Sequence, residues 1–173
     1  MKEKFDIQYR ITKIDREEIK KIKKVKQFID DIGPQGDISI TLGDYVTSQI
    51  FYIDEASNWD ILDVWFRNFK NVYENLVDGK QIVINDIDEP RSFFRFKRGD
   101  GKILIQHYDR KYPVYNGRYC FNADLYEIEC LGETIVQENS FFEIIKRSVN
   151  SYWTEIAELN PILSEYVEQF KIK

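Results

Sequence analysis

The sequence predicts an α+β fold, formed by one domain over residues 1–173, on three observations. First, the stretch 57–79, SNWDILDVWFRNFKNVYENLVDG, repeats large apolar side chains at steps of three and four, which is the period of one helix face. Second, shorter segments around it alternate apolar and polar residues, as half-buried strands do. Third, short glycine-containing turns join several of these segments and favour antiparallel pairing. We therefore predict an antiparallel or mixed sheet of about six to eight strands, packed against a long central helix and C-terminal helices.

Three predicted elements precede the central helix. Asp15 followed by Glu18 resembles a capping box, and Gly33-Pro34 stops the helical pattern. The central helix itself has Ser57 and Asp60 in the capping-box spacing at its start and Gly79 at its end. The predicted elements are a strand over 5–11, a helix over 15–32, and a hairpin whose arms are 37–42 and 48–54.

The second half of the chain is predicted to consist of strands followed by helices. Gly99-Asp100-Gly101 stands between two alternating segments and is a strong hairpin signal. Asn160-Pro161 ends one helical pattern and begins another, with Asn160 as the cap. The predicted elements are strands over 81–85, 91–98 and 102–108, one long or two short strands within 119–137, and helices starting at Ser140 and Pro161.

The charge distribution narrows the class of partner. The net charge of −5 argues against nucleic-acid binding, which needs a basic surface. Residues 1–36 carry a net charge of +3 and residues 122–173 carry −6. The acidic C-terminal third favours a basic protein partner, although an ordinary solvated helix face would have the same composition. The lysines within 20–26 are bracketed by acidic residues, so we interpret that segment as a surface helix with ion pairs rather than as a membrane-binding one.

The sequence contains few residues for catalysis or metal binding. Its one histidine, His107, excludes sites that need two histidines, and its two cysteines are not in a C-x-x-C spacing. Phosphate-binding glycine loops and the serine-hydrolase elbow are also missing from the sequence. We therefore predict no cofactor, no metal and no catalytic residues. The chain also has neither a secretion-signal pattern nor an apolar run long enough for a membrane span, so we expect a cytoplasmic protein without membrane contact.

Two weaker signals remain open at this point. His107 precedes Asp109 at the end of a predicted strand, so it is either a general base oriented by a carboxylate or an ordinary surface histidine. Tyr112 and Tyr115 lie in a stretch rich in tyrosine and arginine, the residue types that often anchor protein interfaces. Those tyrosines could equally be half-buried over the edge of the sheet.

The order of elements, the aromatic central helix and the acidic C-terminal helices resemble those of small, acidic immunity-type proteins of bacterial polymorphic toxin systems. The aromatic residues in question are Trp59, Trp65, Phe66 and Phe69. The resemblance implies a non-enzymatic inhibitor that binds one toxin domain, with no catalytic residues. Because acidic surfaces speed association with basic proteins, we predict contact groups in two acidic clusters. The candidates are Asp54, Glu55, Asp60 and Asp63 at the hairpin–helix junction, and Glu155, Glu158, Glu165 and Glu168 on the last helices.

The competing hypothesis is an enzyme or small-ligand-binding protein with a pocket near His107. A concave pocket that places His107 beside carboxylates would favour this hypothesis, whereas a flat acidic face with exposed aromatics would favour the protein-binding one. The sequence leaves the oligomeric state and the strand order open.

Overall fold

The computed structural model describes residues 4–30, 33–47, 60–86, 91–110 and 128–173. Within these ranges the chain forms two four-stranded antiparallel sheets and five α-helices, so the fold is α+β. The elements of the first half are β1 (Phe5–Ile11), α1 (Lys13–Lys21), α2 (Val25–Asp30), β2 (Gln35–Leu42), β3 (Tyr45–Val46), β4 (Asp60–Ile61) and α3 (Leu62–Asn75). Those of the second half are β5 (Gln81–Asn85), β6 (Ser92–Gly99), β7 (Lys102–Arg110), β8 (Ile128–Gln137), α4 (Glu138–Leu159), a 3₁₀ turn (Pro161–Leu163) and α5 (Ser164–Glu168).

Sheet A is built around β2. Strand β1 pairs with nearly all of β2, from Phe5 opposite Leu42 to Ile11 opposite Gly36. The short strands β3 and β4 pair with the two ends of β2. A side chain at position 36 would lie 2.0 Å from the carbonyl oxygen of Arg10, so only glycine lets the strands approach this closely.

Sheet B is a meander in which β5, β6, β7 and β8 follow one another in space as in sequence. Asp100 and Gly101 form the tight turn between β6 and β7 with φ angles of 55° and 69°. Two consecutive residues with positive φ are typical of the turn that matches the twist of a hairpin. Between β7 and β8 the register shifts after His107, which pairs with Gly132, while Tyr108 pairs with Cys130. Leu131 is thereby left as the extra residue of a β-bulge.

The helices α3 and α4 pack in one apolar core to which both sheets contribute. Phe66 of α3 stacks on Tyr152 of α4 with ring centroids 4.3 Å apart, and both side chains are fully buried. The five buried side chains of α3 contribute on the order of 10 kcal/mol of gross stabilisation at about 1.5–3 kcal/mol each. They are Leu62, Trp65, Phe66, Phe69 and Val72.

Several predicted strands are confirmed, and the main differences concern helices. The prediction of one sheet is only partly right, because the strands divide between two sheets. The central helix begins at Leu62 rather than Ser57, since Asp60 and Ile61 pair with β2 as a strand. It ends at Asn75, and Gly79 lies beyond it with a φ of 71°.

The single helix predicted over 15–32 is wrong, because α1 and α2 are separate helices. α1 is capped by Thr12, whose side chain accepts from the backbone N–H of Asp15 at 3.1 Å. The chain leaves the helical conformation at Ile22, which is extended. The amide of Asn160 donates to the carbonyl oxygens of Ile19 and Ile22 at 2.8 and 2.9 Å, so a tertiary contact replaces the helical hydrogen bonds there.

The C-terminal helices follow the prediction closely. α4 begins at Glu138, two residues before Ser140, and Asn160 caps the following turn by accepting from the N–H of Ile162 at 3.1 Å. The predicted hairpin arm 48–54 and residues 119–127 lie outside the described residues. Within the described ranges, none of the helices combines the length and apolar composition that crossing a membrane requires.

Candidate functional site

His107 lies inside the fold, on the face of β7 that is turned towards sheet A. Only 6% of the residue is exposed, so the interpretation of a surface histidine is wrong. Its Nδ1 is 2.8 Å from the hydroxyl of Tyr45, and its Nε2 is hydrogen-bonded to the hydroxyl of Ser92. The imidazole also stacks on the ring of Phe94, with the centroids 4.2 Å apart and the planes at 4°. These contacts join β3 of sheet A to β6 and β7 of sheet B.

The surroundings of His107 keep its ring uncharged at neutral pH. Burial lowers the pKa of His107 to about 4, and the nearby charge of Asp109 offsets only part of this effect. A neutral imidazole has one donor and one acceptor nitrogen, and here both already have partners. A base this weak removes protons poorly near pH 7. The arrangement therefore suits a structural link between the sheets better than proton transfer.

Gly132 makes room for this link. A side chain at position 132 would lie 2.3 Å from the ring of Tyr45, so glycine is needed for the tyrosine to lie against β8. Gly132 pairs with His107 directly beside the bulged residue Leu131. Sequence reasoning missed Tyr45 and Ser92 as partners of the histidine, because they lie 62 and 15 residues away along the chain.

A partly open cleft of about 480 Å³ lies beside His107, between the two sheets. Its described lining includes aromatic rings, three carboxylates and one guanidinium. Two polar atoms of lining residues, the indole Nε1 of Trp65 and Oδ1 of Asp109, are buried without a hydrogen-bond partner. The described residues that line the cleft are Ile38, Ile40, Tyr45, Thr47, Asp60, Trp65, Asp86, Arg91, Ser92, Phe94, His107, Asp109 and Leu131.

Among the residues that the structure describes, there is no group of three or more histidine, cysteine, aspartate or glutamate side chains that could hold a metal ion. The loop after β5 carries three carboxylates in the sequence, Asp86, Asp88 and Glu89, and of these only Asp86 is described. Cys130 is a free, exposed cysteine, and Cys120 is outside the described residues.

The first acidic cluster predicted for protein contact is enclosed where the structure describes it. Asp60 is 8% exposed, and its carboxylate accepts from the backbone N–H of Ile38 at 3.2 Å. The side chain of Asp63 is 13% exposed and lies 3.3 Å from Arg67, and burial raises the pKa of Asp63. The structure thus gives both carboxylates a role inside the fold. The other candidates of this region, Asp54, Glu55, Tyr112 and Tyr115, lie outside the described residues.

The second acidic cluster lies at the surface. Glu158 and Glu165 are exposed, and neither forms an ion pair with any residue in the described ranges. Ile162, between them in sequence, is 51% exposed. Glu155 is paired with Arg16 of α1, and Glu168 is paired with Lys171. We call these five residues, Glu155, Glu158, Ile162, Glu165 and Glu168, the acidic C-terminal face.

Comparison with known proteins adds no family, because no protein-family model, no curated protein and no solved structure matches the chain. The class of the molecule is therefore given by its own fold, an α+β protein with two antiparallel four-stranded sheets.

Proposed function

We propose that this chain is a non-enzymatic protein-binding module that meets a basic partner through its acidic C-terminal face. In this proposal the chain acts like an immunity-type protein of a polymorphic toxin system, and the partner is a basic toxin domain. The buried, uncharged state of the one histidine supports a binding function over catalysis.

The observation that carries the proposal is the pair of exposed glutamates around Ile162. Glu158 and Glu165 have no ion-pair partner among the described residues, so binding a basic partner would not first require breaking an existing pair. Ile162, which lies between them in sequence, is exposed, and interfaces commonly combine an apolar centre with a polar rim. Ile162 supplies the apolar contact, and the glutamates supply the charged rim.

The charges of this face should act mainly on the rate of association. Complementary charges at the rim of an interface steer two proteins together, and salt screens this attraction at separations beyond about 8–10 Å. Exposed pairs contribute only about 0–1 kcal/mol each to stability, so their removal should leave the fold intact.

The test begins by isolating the chain from its native cells and purifying a basic protein that is bound to it. Its association rate is then measured by stopped flow against the wild-type chain and a Glu158→Lys/Glu165→Lys variant. The matched control is Glu129→Lys/Glu143→Lys, which changes the net charge equally at exposed glutamates outside this face.

We expect the first variant to associate at least about tenfold more slowly at low salt, with a flatter salt dependence. The control variant should show a much smaller change. Equal effects of the two variants, or no effect of either, would contradict the assignment of this face as the binding surface.

A further inference from the structure

The described residues that line the cleft beside His107 carry more negative than positive charge. They include the carboxylates of Asp60, Asp86 and Asp109 and the guanidinium of Arg91. His107 adds no positive charge at neutral pH, because burial keeps its pKa near 4. The charges of these described residues therefore favour a cationic ligand over an anionic one.

The wall of the cleft is suited to an organic cation. Trp65, Phe94, Tyr45 and His107 contribute rings to it, and Trp65 meets Phe94 edge to face with centroids 5.8 Å apart. Ammonium and guanidinium groups are attracted to aromatic faces, most strongly to tryptophan. The volume of about 480 Å³ falls within the roughly 300–1,000 Å³ range of small-molecule sites.

Two lining residues also carry hydrogen-bonding atoms that lack partners. The indole N–H of Trp65, a residue only 2% exposed, has no acceptor, and Oδ1 of Asp109 has no donor. A buried polar atom without a partner costs about 1–3 kcal/mol, so such atoms in a native protein call for an explanation. Both atoms are enclosed, so the proposal made below requires each side chain to move when a ligand binds. A ligand with both an acceptor and a donor would satisfy the two atoms together.

We propose that this cleft binds a small organic cation, a protonated amine or guanidinium that also carries a neutral hydrogen-bond acceptor. The carboxylates of Asp86 and Asp109 hold the cation against the aromatic wall. The indole N–H of Trp65 donates to the acceptor atom of the ligand. The site is separate from the acidic C-terminal face and does not depend on the function proposed for that face.

The test uses three probes and the indole N–H signals of the ¹⁵N-labelled chain. Argininamide carries cationic groups and a carbonyl acceptor, agmatine carries cationic groups without the carbonyl, and succinate is an anion of similar size. The signal of Trp65 is assigned with a Trp65→Phe variant, and the signal of Trp153, which stacks on Phe170 in the core, is the internal control.

We expect argininamide to shift the Trp65 signal saturably at millimolar concentration and to leave the Trp153 signal in place. Agmatine should bind about tenfold more weakly, because it lacks the acceptor for the indole N–H. Succinate should cause no saturable shift. An Asp109→Asn variant, whose fold is checked by thermal unfolding, should bind argininamide about tenfold more weakly than the wild type.

Three results would overturn the proposal. They are the absence of a saturable shift with argininamide up to about 10 mM, equal binding of argininamide and succinate, and equal binding of argininamide and agmatine. The Glu158→Lys/Glu165→Lys variant should bind argininamide like the wild type, so the outcome here is independent of the outcome for the protein partner.

Discussion

Replacing His107 with glutamine should remove a distinct part of the pH dependence of stability. In the folded protein the imidazole is buried between Tyr45 and Ser92, and its pKa is about 4 instead of the ordinary 6.5. In the unfolded chain the same ring is solvated and takes up a proton near pH 6.5. Between these two values the unfolded state binds more protons than the folded state, so acid favours unfolding.

The size of the effect follows from the two pKa values. The contribution of the uncharged His107 to the free energy of unfolding is fully present above about pH 6.5. It falls as the pH decreases and is lost near pH 4. The difference between 6.5 and about 4 corresponds to roughly 3 kcal/mol. Glutamine does not titrate. Between pH 6.5 and pH 4 the free energy of unfolding of the variant should therefore fall only through its carboxylates. The variant should also be less stable at pH 7, by about 1–3 kcal/mol, because it cannot satisfy both hydrogen-bond partners and lacks the stack on Phe94.

The measurement is urea unfolding of both proteins at intervals from pH 8 to pH 4. The free energy of unfolding of the wild type minus that of the variant should fall by about 3 kcal/mol between pH 7 and pH 4, so that the wild type loses its advantage or becomes the less stable protein at pH 4. Because the chain has one histidine, its imidazole signals in an NMR titration are unambiguous. A measured pKa near 6.5 in the folded protein, or a difference that stays constant with pH, would refute the reasoning.

Two further substitutions test the packing around the sheets. Gly132→Ala should destabilise the protein by about 1–3 kcal/mol, because the new methyl group would lie 2.3 Å from the ring of Tyr45. Gly99→Ala, where nothing lies within 4 Å, is the control and should cost under about 1 kcal/mol in the same urea titration. Arg10→Ala should cost about 3 kcal/mol, since it leaves the fully buried carboxylate of Asp37 without the guanidinium that lies 2.6 Å away. A loss below about 1 kcal/mol would show that Asp37 does not depend on this ion pair.

The sequence predicted the elements whose signals are local. The hairpin of β6 and β7 follows from alternating residues on both sides of Gly99-Asp100-Gly101, and the predicted arms agree with the observed strands within two residues at each end. The buried stripe of α3 follows from helical spacing, and Phe66 and Phe69 are fully buried as expected. The acidic character of the C-terminal helices could also be read directly from composition.

The remaining features depend on contacts between distant parts of the chain. The break after α1 is held by Asn160, which lies more than 130 residues further along the sequence. The start of α3 is displaced because Asp60 pairs with β2. Likewise, the burial of His107 follows from the packing of Tyr45 against sheet B, which periodicity cannot indicate. For the same reason the cleft beside His107 could be named only as a possibility.

The meander order of sheet B affects the order in which the two sheets fold. The hairpin of β6 and β7 joins residues separated by a two-residue turn, so closing it costs little chain entropy. Sheet A instead needs β2 to meet β4, which follows it after more than 15 residues. Contacts between near neighbours in sequence generally form sooner than distant ones. We therefore expect amide hydrogens of β6 and β7 to gain protection first in pulse-labelling during refolding, with those of β1 and β2 following.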